Sequence, residues 1–183
     1  DPSVFVSLKD LANEAMCAND NALFATESHY SPVSPPPFMV GMAEVEVDKE
    51  TGSAKVIDYV AVVDCGTPIN PNLARVQTEG GIAQGIGMAL FEDIQYNSKG
   101  VLRNNSFMQY KIPTRQDFGD IRVEFRPSYE ESGPFGAKSI GELVIDTPCP
   151  AIANAIYHAT GVRVRELPIT PEKIAMGILK QEK

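Results

Sequence analysis

The stretch AKVIDYVAVVDCGTPINPNLARVQTEGGIAQGIGMALFED, residues 54–93, passes from a β-rich run through a turn-rich connector into a glycine-rich helix. Its first part is rich in Val, Ile and Tyr. With the preceding run FMVGMAEVEVD, residues 38–48, and the turn Lys49-Glu50-Thr51-Gly52, it reads as a hairpin. Val45 and Val47 alternate with Glu44, Glu46 and Asp48, which gives the first strand one wet face. After GTPINPN, the residues Leu73, Val76, Ile82, Ile86 and Leu90 recur at helical spacing, so a helix is expected over about 73–92 with these on its apolar face. Its glycines Gly80, Gly81, Gly85 and Gly87 each cost roughly 1 kcal/mol relative to alanine there. Another backbone or a flat ligand must therefore approach the helix closely.

Outward from this unit the pattern stays mixed. Ser7 and LKDLANEAM form a capped short helix reaching about Cys17, and residues 22–30 look extended. The segment SPVSPPP, residues 31–37, holds four prolines and reads as a linker or crossing loop. A second hairpin is expected over IQYNSKGVL (94–102), loop over 104–118 and a strand over GDIRVEFR (119–126). Thr147-Pro148 opens a helix that Gly161 closes; VRVREL (162–167) reads as a strand, and Thr170-Pro171 caps a terminal helix. Hairpins interspersed with helices place the chain in the α+β class, as a single domain over 1–183.

The formal net charge of −8 and the absence of any Lys/Arg block argue against a nucleic-acid partner. Apolar runs are far shorter than the roughly 18 residues that span a bilayer. The first residues, DPSVFVSL, lack the basic start and long apolar segment of a signal peptide. Cys17, Cys65 and Cys149 form neither a disulfide framework nor a CxxC pattern, and with His29 and His158 they make a zinc or iron site unexpected; a cytoplasmic setting fits them. Cys65 at a strand end has some look of a nucleophile, but no oxyanion motif accompanies it. Tyr30, Tyr59 and Phe24 read as core or sheet-face residues, and His158 as favourable to a helix dipole.

Two segments combine backbone donors, polar side chains and little bulk: VQTEGGIAQGIG (76–87) and GAKSIGE (136–142). Gln77 and Gln84 can donate and accept, Lys138 and Ser139 can meet phosphate or ring oxygens, and together they suit a large anionic ligand. Close helix packing and a plain surface loop explain the same residues. Neither GxxxxGK[ST] nor a strand-to-helix GxGxxG is present, so an ordinary nucleotide cradle is not supported.

The run from Val62 to Asp93, with YKIPT (110–114), GAKSIGE, PAIANAI (150–156) and TPEKI (170–174) in the same order, resembles the molybdenum-binding subunits of the xanthine dehydrogenase and aldehyde oxidase family. The resemblance covers roughly residues 22–180 and implies the C-terminal part of such a subunit. It implies that Glu142 is the catalytic base, taking a proton from a Mo-OH group whose oxygen attacks an electron-poor carbon. Hydride then passes to a sulfido or selenido ligand. It implies cofactor contacts from Gln77, Thr78, Gly80, Gln84, Lys138, Ser139 and Gly141, with no metal ligand from the chain. The implied cofactor is molybdopterin, as its cytosine dinucleotide in a bacterial source, with 2Fe-2S clusters and FAD on partner domains or subunits. An upstream molybdenum-binding domain and a small-molecule substrate, a purine-like N-heterocycle or an aldehyde, complete the expectation. The 183 residues alone are expected to be inactive. Where purine-oxidising members often carry two prolines after the glutamate, Leu143 and Val144 stand here, which argues against xanthine itself. A non-catalytic relative serving as an assembly or binding module is the alternative; Glu142 together with Gln77 argues against it.

Overall fold

The computed structural model describes residues 4–19, 22–28 and 30–181, so His29 lies outside the described residues. The chain divides into two units, residues 1–32 and 33–183, at the proline-rich segment. In the first, helix α1 (Leu8–Asn19) is capped as expected, with Asp10 N–H donating to Ser7 Oγ at 3.1 Å. Phe24 and Tyr30 are not strand or core residues: both are more than four-fifths exposed, in irregular chain.

The second unit is built on the hairpin. Strands β1 (Phe38–Val47) and β2 (Ala54–Asp64) pair antiparallel, and Asp48 ties the turn by accepting from Glu50 N–H at 2.9 Å and from Thr51 Oγ1 at 2.8 Å. Gly52, at φ +76, supplies the left-handed residue that turn requires. The pairing slips between Glu44 and Val45, so Ile57 is an extra residue in β2. This bulge shifts the inward phase from Val56 to Tyr59, Ala61 and Val63.

Helix α2 (Pro71–Leu90) follows, and β3 (Asp120–Phe125) then lies parallel to β2, giving a mixed sheet of order β1-β2-β3. Helix α2 is capped by Asn70, whose Oδ1 accepts from Leu73 N–H at 3.1 Å, with Pro71 in the first turn. Next come a 3-10 turn (Pro134–Gly136), a short helix α3 (Leu143–Asp146), then α4 (Pro148–Thr160) and α5 (Pro171–Gln181). Gly161 closes α4 at φ +75. Tyr59 and Val63 meet Ile82, Ile86, Ile152, Ile156 and Ile174 in one core between sheet and helices. This is the expected α+β architecture.

Three expectations change. Leu73 and Val76 are exposed while Ile82 and Ile86 are fully buried, so the apolar face of α2 is rotated from the one its spacing suggested. The core takes the side with small residues because it lets neighbouring helices come closest. The IQYNSKGVL hairpin is reduced to one bridge, Tyr96 to Leu102. VRVREL is irregular and joins no sheet among the described residues, so its alternation reflects Val162 turning into the core and not strand pairing. No helix among the described residues is long and apolar enough to cross a membrane.

Candidate functional site

The two segments singled out above, 64 residues apart at their point of contact, meet at the N-terminal end of α2. Gln77 Nε2 donates to the carbonyl oxygen of Gly141 at 3.2 Å. Beside this contact lies a cleft of about 500 Å³, bounded by Thr67 to Asn70, the first turns of α2 through Gln77, and Ala137, Lys138, Ile140 and Gly141. Glu142 follows directly and caps α3, where Ile145 N–H donates to its carbonyl at 3.0 Å; its side chain is exposed.

The loop carrying Glu142 is stitched to the end of β2. Lys138 N–H donates to Cys65 O at 2.7 Å and Thr67 N–H to Gly136 O at 2.8 Å. Gly66, at φ +68, lies so near that a Cβ on it would fall 2.7 Å from Lys138 N. Lys138 Nζ donates to Asp64 Oδ2 at 2.9 Å, and that bond holds the Asp64 carboxyl below the usual carboxylate range. Asp64 Oδ1 accepts from Gly66 N–H at 2.9 Å and Ser128 Oγ at 2.8 Å.

The expected cofactor contacts divide. Gln77, Gly80, Gln84, Ser139 and Gly141 are exposed. A Cβ built on Gly80 or on Gly141 would meet nothing within 4 Å, so both leave bare, flat backbone. Thr78 is different: it is fully buried, and its Oγ1 donates to Ala74 O at 2.9 Å. With its hydroxyl spent inside the helix it offers nothing to the cleft. Lys138 is also different from expectation, because its side chain is 9% exposed and its ammonium is committed to Asp64.

The other helix glycines serve packing. A Cβ on Gly81 would lie 2.9 Å from Val144 Cβ, and one on Gly85 would lie 2.6 Å from Pro148 Cγ. Of the two readings of the glycine-rich helix, the close approach of α3 and α4 accounts for Gly81 and Gly85, Glu92 and Pro113 crowd Gly87, and the open space accounts only for Gly80. Cys65 is buried, and burial pushes its thiol pKa up, the opposite of an activated nucleophile. Asp64 went unnoticed in the sequence. Its only signal was an acid ending a buried β run, and its partner stands 74 residues away.

The cleft brings together the Gln77 amide, the Thr67 and Asn70 side chains and the bare backbone of Gly141, with the open Gly80 further along the same helix face. The residues present fit a pterin. The family model described as "Molybdopterin cofactor-binding domain" matches residues 2–119. The chain belongs to this family, within the molybdenum-binding subunits of the xanthine dehydrogenase and aldehyde oxidoreductase group. It is 37% identical over 180 residues to "Probable hypoxanthine oxidase XdhD" of Escherichia coli K12, covering 96% of this chain and 18% of that protein. It is 36% identical over 172 residues to "Putative xanthine dehydrogenase molybdenum-binding subunit XdhA" of the same organism, covering 92% and 23%. Among solved structures, the aldehyde oxidoreductase from Desulfovibrio desulfuricans superposes with a TM-score of 0.72 at 36% identity, over 77% of this chain and 15% of that one. Quinoline 2-oxidoreductase from Pseudomonas putida gives 0.70 at 37% identity, over 74% and 18%. The chain thus spans less than a quarter of the length of these relatives.

Proposed function

We propose that the unit of residues 33–183 forms one wall of a molybdopterin site in an oxidoreductase that hydroxylates a carbon of an aromatic N-heterocycle or an aldehyde with water, and that Glu142 is its base. The observation that carries this reading is the hydrogen bond from Gln77 to Gly141, because it holds the bare helix face and the glutamate-bearing loop on one cleft. The cofactor, when bound, would supply a molybdenum centre able to take up the two electrons that leave the substrate carbon.

The net change replaces C–H by C–OH, takes its oxygen from water, and releases two electrons and two protons. The exposed carboxylate of Glu142 takes the proton shed by the attacking oxygen, which a positioned general base does at a gain of about 100-fold or more. Gln77, with its amide oxygen unclaimed by any donor among the described residues, offers an acceptor at the cleft while its Nε2 fixes Gly141. Gly80 and Gly141 let the ring system approach the backbone, and Ser139 and Gln84 supply further hydrogen bonds. Thr78 and Lys138 act from behind, as supports of the helix and the loop.

Relatives named for hypoxanthine, quinoline and aldehyde oxidation support a heterocycle or aldehyde as substrate class. Subunit names such as the "gamma" subunit of a 6-hydroxypseudooxynicotine dehydrogenase complex support partner subunits. We assign 2Fe-2S clusters and FAD to such partners or to further domains, the cytosine dinucleotide form to the pterin, and the parent enzyme to the cytoplasm.

The test is Glu142→Gln in the intact parent enzyme. Size and most hydrogen bonding are kept, so molybdenum content should match the parent. Stopped-flow reduction of the metal by substrate should slow at least about 100-fold, the low end of what a positioned base contributes. Reduction within a few-fold of the parental rate would remove Glu142 from the role of base.

A further inference from the structure

We infer that the Asp64–Lys138 ion pair is a positioning device for the base: it sets the 136–142 loop, and through it the carboxylate of Glu142, against the N-terminal end of α2. This inference rests on the function proposed above. A lysine in a glycine-rich loop next to an anionic cofactor invites a phosphate contact, but the geometry assigns Lys138 elsewhere. Its Nζ lies 2.9 Å from Asp64 Oδ2, its side chain is 9% exposed, and the ring of Phe38 lies 5.4 Å from the ammonium. A phosphate would have to displace both neighbours.

Asp64 is a firm anchor. It ends β2, and its other oxygen is held by Gly66 N–H and Ser128 Oγ, so the carboxylate cannot swing with the loop. Beyond Lys138, Ile140 packs against the core, but the polar ties of the loop are weak. Gly141 N–H reaches Ser139 Oγ only at 3.5 Å, and Gly141 O takes the exposed Gln77 amide at 3.2 Å. Lys138 is therefore the last side chain held by an ion pair before Glu142, four residues upstream. A partly buried pair is screened less than a surface one, and removing one partner leaves an uncompensated charge, so the loop should move when the pair is broken.

In the intact enzyme, Lys138→Met and Asp64→Asn should each slow substrate reduction of the metal at least about 10-fold, since misplacing a catalytic group by about 1 Å can cost on the order of 100-fold. KM and molybdenum content should stay within about two-fold. Lys138→Arg, which keeps the charge, should recover the rate to within about three-fold. The double variant Asp64→Asn/Lys138→Met should be no slower than the slower single one, because both remove the same interaction. Independently of activity, amide hydrogen exchange over residues 137–141 of the intact enzyme should speed by about ten-fold or more in both single variants.

Loss of cofactor in Lys138→Met, with rate and exchange unchanged in Asp64→Asn, would make Lys138 a ligand and overturn the inference. Should Lys138→Met fail to fold, Asp64→Asn decides alone, since it keeps the shape and can still accept from Gly66 and Ser128: a parental rate and parental exchange overturn the inference. A slow Glu142→Gln enzyme beside clamp variants at the parental rate would sink the clamp only. An unslowed Glu142→Gln would instead sink the assignment of the base and leave the exchange result standing.

Discussion

Gly80 and Gly81 are consecutive residues of one helix, and they face opposite surroundings. Gly81 sits under Val144 of α3, and one turn later Gly85 sits under Pro148 of α4. Gly80 looks onto open space, in a stripe with Leu73, Gln77 and Gln84 that is exposed along its length. One face of α2 uses glycine to admit other helices; the other face uses it, in our proposal, to admit a ligand. The helix pays in intrinsic propensity on both sides, roughly 1 kcal/mol per glycine, but only the packed side recovers that within this chain. The difference teaches that a glycine-rich helix is not one signal but two, separable only by knowing which side the core occupies.

Two substitutions in the intact subunit can break this comparison. Gly85→Val should be the larger, destabilising α2 by about 2 kcal/mol, because a side chain would have to push aside the rigid Pro148 ring and overpacking costs about 1–3 kcal/mol. Hydrogen exchange of the α2 amides should rise by roughly 30-fold, the equivalent of that energy. Parental exchange would mean that α4 is not seated on this face. Gly80→Ala should act with the opposite sign on stability: nothing within 4 Å opposes the new Cβ, so α2 exchange should slow by up to about five-fold from the gain in helix propensity of up to about 1 kcal/mol. The same variant should hold less molybdopterin than the parent. Full cofactor content would remove Gly80 from the site.

The hairpin, α2, α4 and α5 were legible in the sequence because caps, alternation and terminal Gly or Pro residues act locally. The meeting of VQTEGGIAQGIG with GAKSIGE was suspected from composition and the family resemblance. Their contact through Gln77 and Gly141 depends on tertiary packing that no local pattern records. On the expected apolar face of α2, Ile82 and Ile86 do turn inward, but Leu73 and Val76 do not, for the same reason. Gly81 and Gly85 let α3 and α4 approach, and so the side they share with Ile82 and Ile86 is the inner one. The resemblance implies a cofactor contact from Thr78, next to Gln77; 100° further round the helix it points into the core. Charge and the family resemblance both point Lys138 at the cofactor, and only the fold reveals that Asp64 already neutralises it.

The smallest expected effect separates the two glutamines of the open face. Both are exposed and at helical spacing, seven residues apart, which is about two turns or roughly 10 Å along the axis. Gln77 borders the cleft and bonds Gly141, whereas Gln84 borders no part of that cleft. A ligand seated between the helix and the 136–142 loop therefore meets Gln77 first and Gln84 at its far edge. Gln77→Ala should loosen the loop and lower molybdenum content several-fold in the purified enzyme. Gln84→Ala should change stability by no more than about 0.5 kcal/mol, as surface substitutions usually do, and lower molybdenum content by less than about two-fold. Metal analysis of the two variants, prepared alongside the parent, is the measurement. If Gln84→Ala loses as much molybdenum as Gln77→Ala, the cofactor lies along the whole open face of α2 and not at its N-terminal end, and the cleft beside Gly141 is only its margin.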